Sequence, residues 1–377
     1  MQDGSLFKGK VLCGPMVRIS TLGFRLLCAK NGADVVYSEE IIANKLCKCV
    51  REVRRISRDE FKDFLPDNNI DNQSNTVIDL IEFVHYDCRQ KEQGRRAVVF
   101  STLSIGEGAK VIVQIGAASA DIALAAAKVV QADVDGIELN MGCPKKFSTG
   151  QGMGAALMSK PDLAVSILSA LVQGQSLPVS VKTRCMQSTT ESVNLIRALD
   201  KSGVHAIVLH ARQKEHRYTI AASYAEFRCI RVMLGTELRS SLILNGDVSS
   251  GDSVSDLMER TQCDGIMVCR SAMHDPSIFQ DLLNNDMQAP HRTPESNITL
   301  PLNNKGIPRI LSTVRTFVEW RAAFGACFQQ IKYHALRVLQ EYPEVHEQYE
   351  LSLKAKDQRK LLSSFLGQDE PLAELLH

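Results

Sequence analysis

The sequence predicts an α/β fold: a (β/α)8 TIM barrel with a C-terminal all-helical segment. Three observations carry that reading. Eight short apolar runs, nearly continuous in Val, Ile and Leu as buried parallel strands are, each lead into a helix-length segment with apolar residues at helical spacing. The eight repeats occupy about the first 285 residues, the size of one such barrel. No G-x-G-x-x-G follows the first run, so a doubly wound sheet lacks the glycine cluster it would place there.

Residues 10–16 (KVLCGPM) read as the first strand and 21–31 as its helix. Asp34–Glu39 is the second strand, and a long basic helix follows from Ile41. Lys110–Gly116 is the third, with an Ala-rich helix at 119–132, and Gly136–Cys143 the fourth, with a helix near 161–174. Pro178–Arg184, Ala206–Arg212 and Ser241–Asp247 are the fifth, sixth and seventh, each with a helix behind it, near 189–202, 223–234 and 251–261. Gly265–Ser271 is the eighth, and a short helix starts at Pro276. Two stretches interrupt the alternation. Residues 59–109, which include the polar Pro66–Thr76, read as an excursion, partly hairpin. Residues 285–307, rich in Asn, Pro and Thr, read as a linker between a barrel over 1–284 and a helical domain over 308–377. In that tail Ile310–Phe324, Ala326–Tyr342 and Leu351–Leu366 have helical periodicity.

Composition narrows the function classes. Hydrophobic residues make up 44% of the 377, and 44 Lys+Arg against 43 Asp+Glu leave a net charge of +1. A disordered or fibrous chain is excluded, and any nucleic-acid surface must be a local patch. No apolar run approaches the ~20 residues of a membrane span. The polar, then basic, start resembles neither a secretory signal nor a transit peptide. Eleven scattered cysteines without a CxxC argue against structural metal and a disulfide framework, and for reduced thiols in the cytoplasm or nucleus.

In a barrel the reactive face is the C-terminal end of every strand. Read to their ends, the strands present Pro15–Met16, Glu39–Glu40, Gln114, Asn140 and Cys143, Lys182 and Arg184, His210 and Arg212, Asn245–Gly246–Asp247, and Cys269–Arg270. Gln114, Lys182 and His210 stand out because each lies inside or just after an apolar run, where a polar group costs desolvation unless something meets it. The Asn245-Gly246-Asp247 turn and Cys269-Arg270-Ser271 sit where barrels bind phosphate on backbone N–H groups. This points to a phosphate-bearing ligand in the mouth. Gln114 and Lys182 can hydrogen-bond a polar heteroaromatic ring, and a lysine at its edge would stabilise negative charge there, which favours FMN over a sugar phosphate.

The run Asn140-Met-Gly-Cys143-Pro144-Lys145, continued by Ser148 and Gly152-Met153-Gly154-Ala155-Ala156-Leu157, resembles the signature of tRNA-dihydrouridine synthases. Gly14-Pro15-Met16-Val17-Arg18, Tyr37-Ser38-Glu39-Glu40, Lys182-Thr183-Arg184, Leu209-His210-Ala211-Arg212 and Asn245-Gly246-Asp247 match in the same order. The chain most resembles the eukaryotic dihydrouridine synthase 2 type, which acts at position 20 of the tRNA D-loop. It departs from human-type relatives at Gly14, Ala211 and Gln151, which stand in place of Ala, Gly and Gly. With His377 as its last residue, the sequence is expected to lack the double-stranded-RNA-binding domain that the animal enzymes carry after the helical domain.

The resemblance implies an FMN barrel that uses NADPH to reduce uracil to 5,6-dihydrouracil. Gly14, Pro15 and Met16 would line the flavin; Glu40, Gln114, Lys182 and His210 would contact its ring or substrate side. Asn245, Gly246, Asp247, Cys269 and Arg270 would hold the phosphate. Asn140 and Arg184 would engage the uridine, and Cys143 would be the general acid, giving a proton to C5 of a base swung out of the tRNA. The partners implied are tRNA and NADPH, with a monomeric protein, no metal and no membrane. Two other readings stay open: an FMN barrel oxidoreductase acting on a free small molecule, and a non-catalytic RNA-binding protein that kept the fold.

Outside the site, Lys45, Lys48, Arg51, Arg55 and Arg58 would form one basic stripe on a helix, a solvated face or a phosphate-tracking surface. In the tail, Arg315, Arg321, Lys332 and Arg337 are candidate tRNA contacts, while Phe317, Trp320, Phe324, Phe328 and Tyr333 read as core. The ten cysteines other than Cys143 read as buried small hydrophobes.

Overall fold

The computed structural model describes residues 6–65, 77–87, 95–216, 219–288 and 306–365. In chain order its elements are β1 (Val11–Cys13), α1 (Leu22–Lys30), β2 (Val35–Tyr37), β3 (Ile41–Ile42), α2 (Ala43–Leu46), β4 (Val50–Ser57), α3 (Arg58–Phe61), β5 (Val77–Asp87) and β6 (Arg95–Leu103). Then come β7 (Lys110–Gly116), α4 (Ala120–Val130), β8 (Gly136–Asn140), α5 (Lys146–Thr149), α6 (Pro161–Gly174), β9 (Val179–Cys185) and α7 (Thr189–Asp200). They are followed by β10 (Ala206–Gln213), α8 (Tyr224–Leu234), β11 (Ser241–Asn245), α9 (Val254–Thr261), β12 (Gly265–Val268), α10 (Arg270–His274) and α11 (Ile278–Gln288). The tail holds α12 (Gly306–Ala323), α13 (Phe328–Leu339), α14 (His346–Lys354) and α15 (Gln358–Ser363).

Eight parallel strands run in the order β2-β1-β12-β11-β10-β9-β8-β7, and pairing of β2 with β7 closes the ring. The predicted (β/α)8 barrel is therefore the observed fold. Its interior is set by the period of two along each strand. Leu12, Val35, Tyr37, Ile112, Ala206, Val208, Ile243 and Met267 pack together as a cluster separate from the helix-facing core. Counting onward by two from these positions reaches Gly14, Gln114, His210, Asn245 and Cys269. The apolar floor and the polar mouth thus occupy one parity. The helices cover the outside conventionally; α7, for example, starts with Ser188 and Glu191 in a reciprocal capping box.

Three expectations change. The basic segment after Ile41 is not a long helix. Only Ala43–Leu46 is helical, and Val50–Ser57 is the strand β4, paired antiparallel with β5 from Val50↔Val84 to Ser57↔Val77. The β-branched Val50, Val53 and Ile56 favour this extended backbone. The single helical stripe dissolves with it: Arg51 and Arg55 share one face of a strand, Arg54 lies on the other, and Arg51 is paired with Asp133 at 2.8 Å. The excursion accordingly begins at residue 50 and forms a three-stranded sheet, β4-β5-β6; Pro66–Thr76 lies outside the described residues. Residues 285–288 of the expected linker are the last turn of α11, and 289–305 lie outside the described residues.

The excursion and the tail are both locked onto the barrel. Arg25 of α1 is buried and forks onto Glu107, with Nε at 2.9 Å and Nη2 at 2.6 Å, while Nη2 also donates to Ser101 O at 2.7 Å. Gly23 lets α1 and α12 touch: a Cβ there would stand 2.1 Å from the Trp320 carbonyl oxygen. Phe24 packs against Phe317 and His334, and Phe64 against Trp320. Phe317, Trp320 and Phe324 are buried, as expected of core aromatics. Arg321 is not the expected surface cation: it is fully buried, and its Nη2 donates to the Arg18 carbonyl at 2.6 Å. Nor are the cysteines mostly buried. Among the described ones only Cys13, Cys28, Cys185 and Cys263 are buried, and Cys47, Cys229 and Cys327 are exposed.

Candidate active site

The mouth is built from the C-terminal ends of the strands, and it gathers most of the predicted residues. On the β9–β12 side, Lys182 Nζ donates to Asn245 Oδ1 at 2.7 Å. Asn245 Nδ2 donates to the Met267 carbonyl at 2.9 Å and lies 3.6 Å from Cys269 Sγ. Gly14, at the end of β1, has no room for a side chain: a Cβ would stand 2.5 Å from Cys269 Sγ and 2.6 Å from Met267 Sδ. Pro15 and Met16 follow it, half-buried, and Met16 N donates to Ser20 Oγ at 3.0 Å.

Beside this group stands His210. Burial, and then the charges of Lys182, Arg184, Arg212 and Arg270, hold its pKa far below the ordinary histidine range. It is therefore neutral. Arg212 Nη1 lies 3.2 Å from His210 Nε2 and can only donate, so the ring carries its proton on Nδ1. Gly246, at φ +125°, approaches the ring so closely that a Cβ would meet His210 Cδ2 at 3.0 Å. Asp247 grips both Arg212 and Arg270 with its carboxylate and accepts from Ala222 N at 2.8 Å. Its side chain thus orients cations. Tyr224 OH donates to Gly246 O at 2.8 Å.

On the β7–β9 side a buried polar chain fixes the loop after β8. Ser180 Oγ donates to Glu138 Oε2 at 3.2 Å and Gln114 Nε2 to Glu138 Oε1 at 2.7 Å. Asn140 Nδ2 donates to Gln114 Oε1 at 2.9 Å. Asn140 Oδ1 then accepts from the backbone N–H groups of Gly142 and Cys143, both at 3.0 Å. Arg184 Nε grips the same loop at Gly142 O, at 2.8 Å. Burial raises Glu138 to about 7, against the opposing pull of Lys182; burial also lowers Lys182 and Arg184.

Cys143 crowns this loop, half-buried. Burial, and then the Glu40 carboxylate, push its thiol up to about 11, so it is protonated at neutral pH. Glu40 follows β2 rather than lying on it. Ser148 Oγ donates to Glu40 Oε1 at 2.7 Å. Gly154, at φ +58°, permits the return of the chain, since a Cβ there would meet Ser148 Oγ at 2.5 Å and Cys143 O at 2.7 Å.

The structure thus divides the predicted residues into two walls. Gly14, Lys182, His210, Asn245, Gly246, Asp247, Cys269 and Arg270 form one, with Pro15 and Met16 at its rim. Glu40, Gln114, Asn140, Cys143 and Arg184 build and hold the loop of the other. Sequence reading passed over Glu138, Ser148 and Arg212 as site residues. Glu138 and Arg212 share the mouth-facing parity, which could have found them; Ser148 carries no local signal beyond its motif. No group of three or more His, Cys, Asp or Glu with metal-holding geometry occurs among the described residues, nor a helix long and apolar enough to cross a membrane.

Comparison with known proteins gives the family of the chain. The family model described as dihydrouridine synthase (Dus) matches residues 81–364. A tRNA-dihydrouridine(20) synthase of the NAD(P)+ type from Saccharomyces cerevisiae is 30% identical over 88% of this chain and 78% of that protein. One of the same description from Schizosaccharomyces pombe is 33% identical over 73% of this chain and 52% of that protein. A human tRNA-dihydrouridine(20a/20b) synthase-like protein is 27% identical over 74% of this chain and 72% of that one. With the matched model running from within β5 to α15, and so over the strands β7 to β12, the chain belongs to the dihydrouridine synthase family of enzymes.

Proposed function

We propose that the protein reduces a uridine of the tRNA D-loop, at position 20, to 5,6-dihydrouridine, with FMN as prosthetic group, NADPH as reductant and Cys143 as general acid. The observation that carries the reading is the division of the mouth. A cationic, hydrogen-bonding wall at β9–β12 faces a loop that presents a protonated thiol after β8, four strands around the ring from β12.

The donor set suits FMN. Lys182, Arg212 and Arg270, with Arg184 of the opposite wall, act together on one neutral histidine, so the mouth carries positive charge that an anionic phosphate would offset. Gly14, packed without a side chain against Cys269 Sγ and Met267 Sδ, keeps the end of β1 low beside these groups. Lys182 and Asn245, with His210, Gln114 and Cys269 around them, would hold the ring between Gly14-Pro15-Met16 and the mouth. Gly246 and Arg270, the latter aimed by Asp247, would hold the phosphate. When bound, the flavin supplies the hydride that reaches C6 of the pyrimidine.

The rest falls to the chain's own side chains. Cys143 Sγ–H gives its proton to C5. A thiol that stays protonated far above neutral pH is an acid in nearly every molecule. Asn140 fixes the loop that aims it by accepting from two successive N–H groups, and Arg184 fixes it from the opposite edge. Arg184 also offers charge to the swung-out nucleotide. The arginine face of β4 and the C-terminal helices would carry the body of the tRNA, by phosphate contacts that weaken with salt.

The test is a map of dihydrouridine in tRNA from cells lacking this protein. Loss at position 20 with other D-loop positions intact is expected. An unchanged map would contradict the proposal.

A further inference from the structure

Glu40 stands beside the loop that carries Cys143, hydrogen-bonded to its Ser148. It is buried, 8% exposed, and held by the Ser148 hydroxyl at Oε1, while its Oε2 has no hydrogen-bond partner of good geometry. A buried carboxylate oxygen left open costs free energy unless a proton or a donor visits it. The neighbour able to do so is the Cys143 thiol: its Cβ and the Ser148 hydroxyl that holds Glu40 flank the same point, 3.2 Å and 2.5 Å from where a Cβ on Gly154 would stand, and the Glu40 charge acts on the thiol. Gly116 and Gly154 keep the two groups together: a Cβ on the first would meet Glu40 Oε1 at 2.7 Å, and one on the second Ser148 Oγ at 2.5 Å.

We infer that Glu40 is a positioning residue that shares a proton with Cys143 and returns it to the thiol after each transfer. The inference rests on Cys143 being the acid of the proposed reaction. The balance is simple. Cys143 Sγ–H loses its proton to C5 of the pyrimidine, whose C6 has taken the hydride, and is left as thiolate. Two adjacent anions in a buried site repel, so the Glu40 carboxyl binds a proton from water and passes it to Sγ, returning to carboxylate. No electrons move in this step. Burial already draws Glu40 above the ordinary carboxylate value, opposed by the Ser148 hydrogen bond and by the nearby Cys143 thiol. The other charges acting on the thiol are Arg184 and Lys182, and both favour the thiolate.

The variant Glu40→Gln keeps the acceptor for Ser148 and removes the charge and the exchangeable proton. Two readouts are needed on the flavin-loaded protein. The first is the pH dependence of Cys143 alkylation by iodoacetamide, read by peptide mass spectrometry so that the exposed Cys47, Cys229 and Cys327 do not interfere. The midpoint should fall from about 11 in the variant, by roughly one unit, as on removing one neighbouring like charge. The second is the ratio of repeated turnover to first turnover on tRNA, which should fall about tenfold. Glu40→Asp, should the amide fail to fold, should shift both measures the same way by less. An unchanged alkylation midpoint would show that the carboxylate does not act on the thiol. A lowered midpoint with an unchanged turnover ratio would show that water alone returns the proton. Either result overturns the inference. Cys143→Ala separates this from failure of the parent reading: wild-type turnover in that variant removes the acid role itself, whatever Glu40 does.

Discussion

Lys182 Nζ donates to Asn245 Oδ1 at 2.7 Å, which ties the end of β9 to the end of β11 across the intervening β10. The bond fixes an ammonium that burial has already made easier to deprotonate. A cation so placed has a purpose if negative charge arrives beside it. Lys182→Met should lower the flavin content of the purified protein and cut uridine reduction about 100-fold, the loss usual for one preorganised electrostatic donor. Unchanged flavin absorbance together with an unchanged rate would remove Lys182 from the site.

Asp247 offers a test in which two explanations differ in sign. If charge alone governed phosphate binding, removal of this carboxylate would tighten it. Its hold on Arg212 and Arg270 argues that orientation prevails. Asp247→Ala should therefore weaken FMN binding to the apoprotein about tenfold, read by quenching of flavin fluorescence. Tighter binding would show that the arginines need no such support.

How much of this was legible in the sequence follows from which interactions are local. The eight strands could be read because each is an apolar run of its own, and the mouth because Gln114, Lys182 and His210 interrupt such runs at their ends. Cys143 could be singled out only by its motif; nothing in its neighbours marks it as the protonated thiol that the Asn140 turn and Glu40 make of it. The long basic helix was misread because Lys and Arg at three- and four-residue spacing fit a helix as well as they fit β4. The pairing that decides is with β5, from Ser57↔Val77 out to Val50↔Val84, well beyond the reach of local spacing. Arg321 was misread for a similar reason. Its burial depends on the loop after β1, at the other end of the chain.

His334 couples the tail to the barrel and should report on that contact through pH. It is fully buried between Phe24 and Phe317, and its Nε2 lies 2.8 Å from the Met273 carbonyl. Burial, then the charge of Arg321, hold its pKa well below 6.5. The unfolded chain thus binds a proton below about pH 6.5 that the folded protein refuses. Its contribution to stability is complete above that pH and is lost as pH falls, at up to about 1.4 kcal/mol per unit. His334→Gln should lose less stability than wild type between pH 7 and 5 in urea titrations. Equal losses would mean that His334 is protonated in the folded state.

The central claim is that the thiol on the β8 loop supplies the proton that completes reduction. The most direct measurement is dihydrouridine formation on unmodified tRNA by flavin-loaded Cys143→Ala, alongside its flavin content and tRNA affinity. Product formation should fall at least about 100-fold while both binding measures stay within about twofold of wild type. Wild-type product formation by that variant would contradict the account.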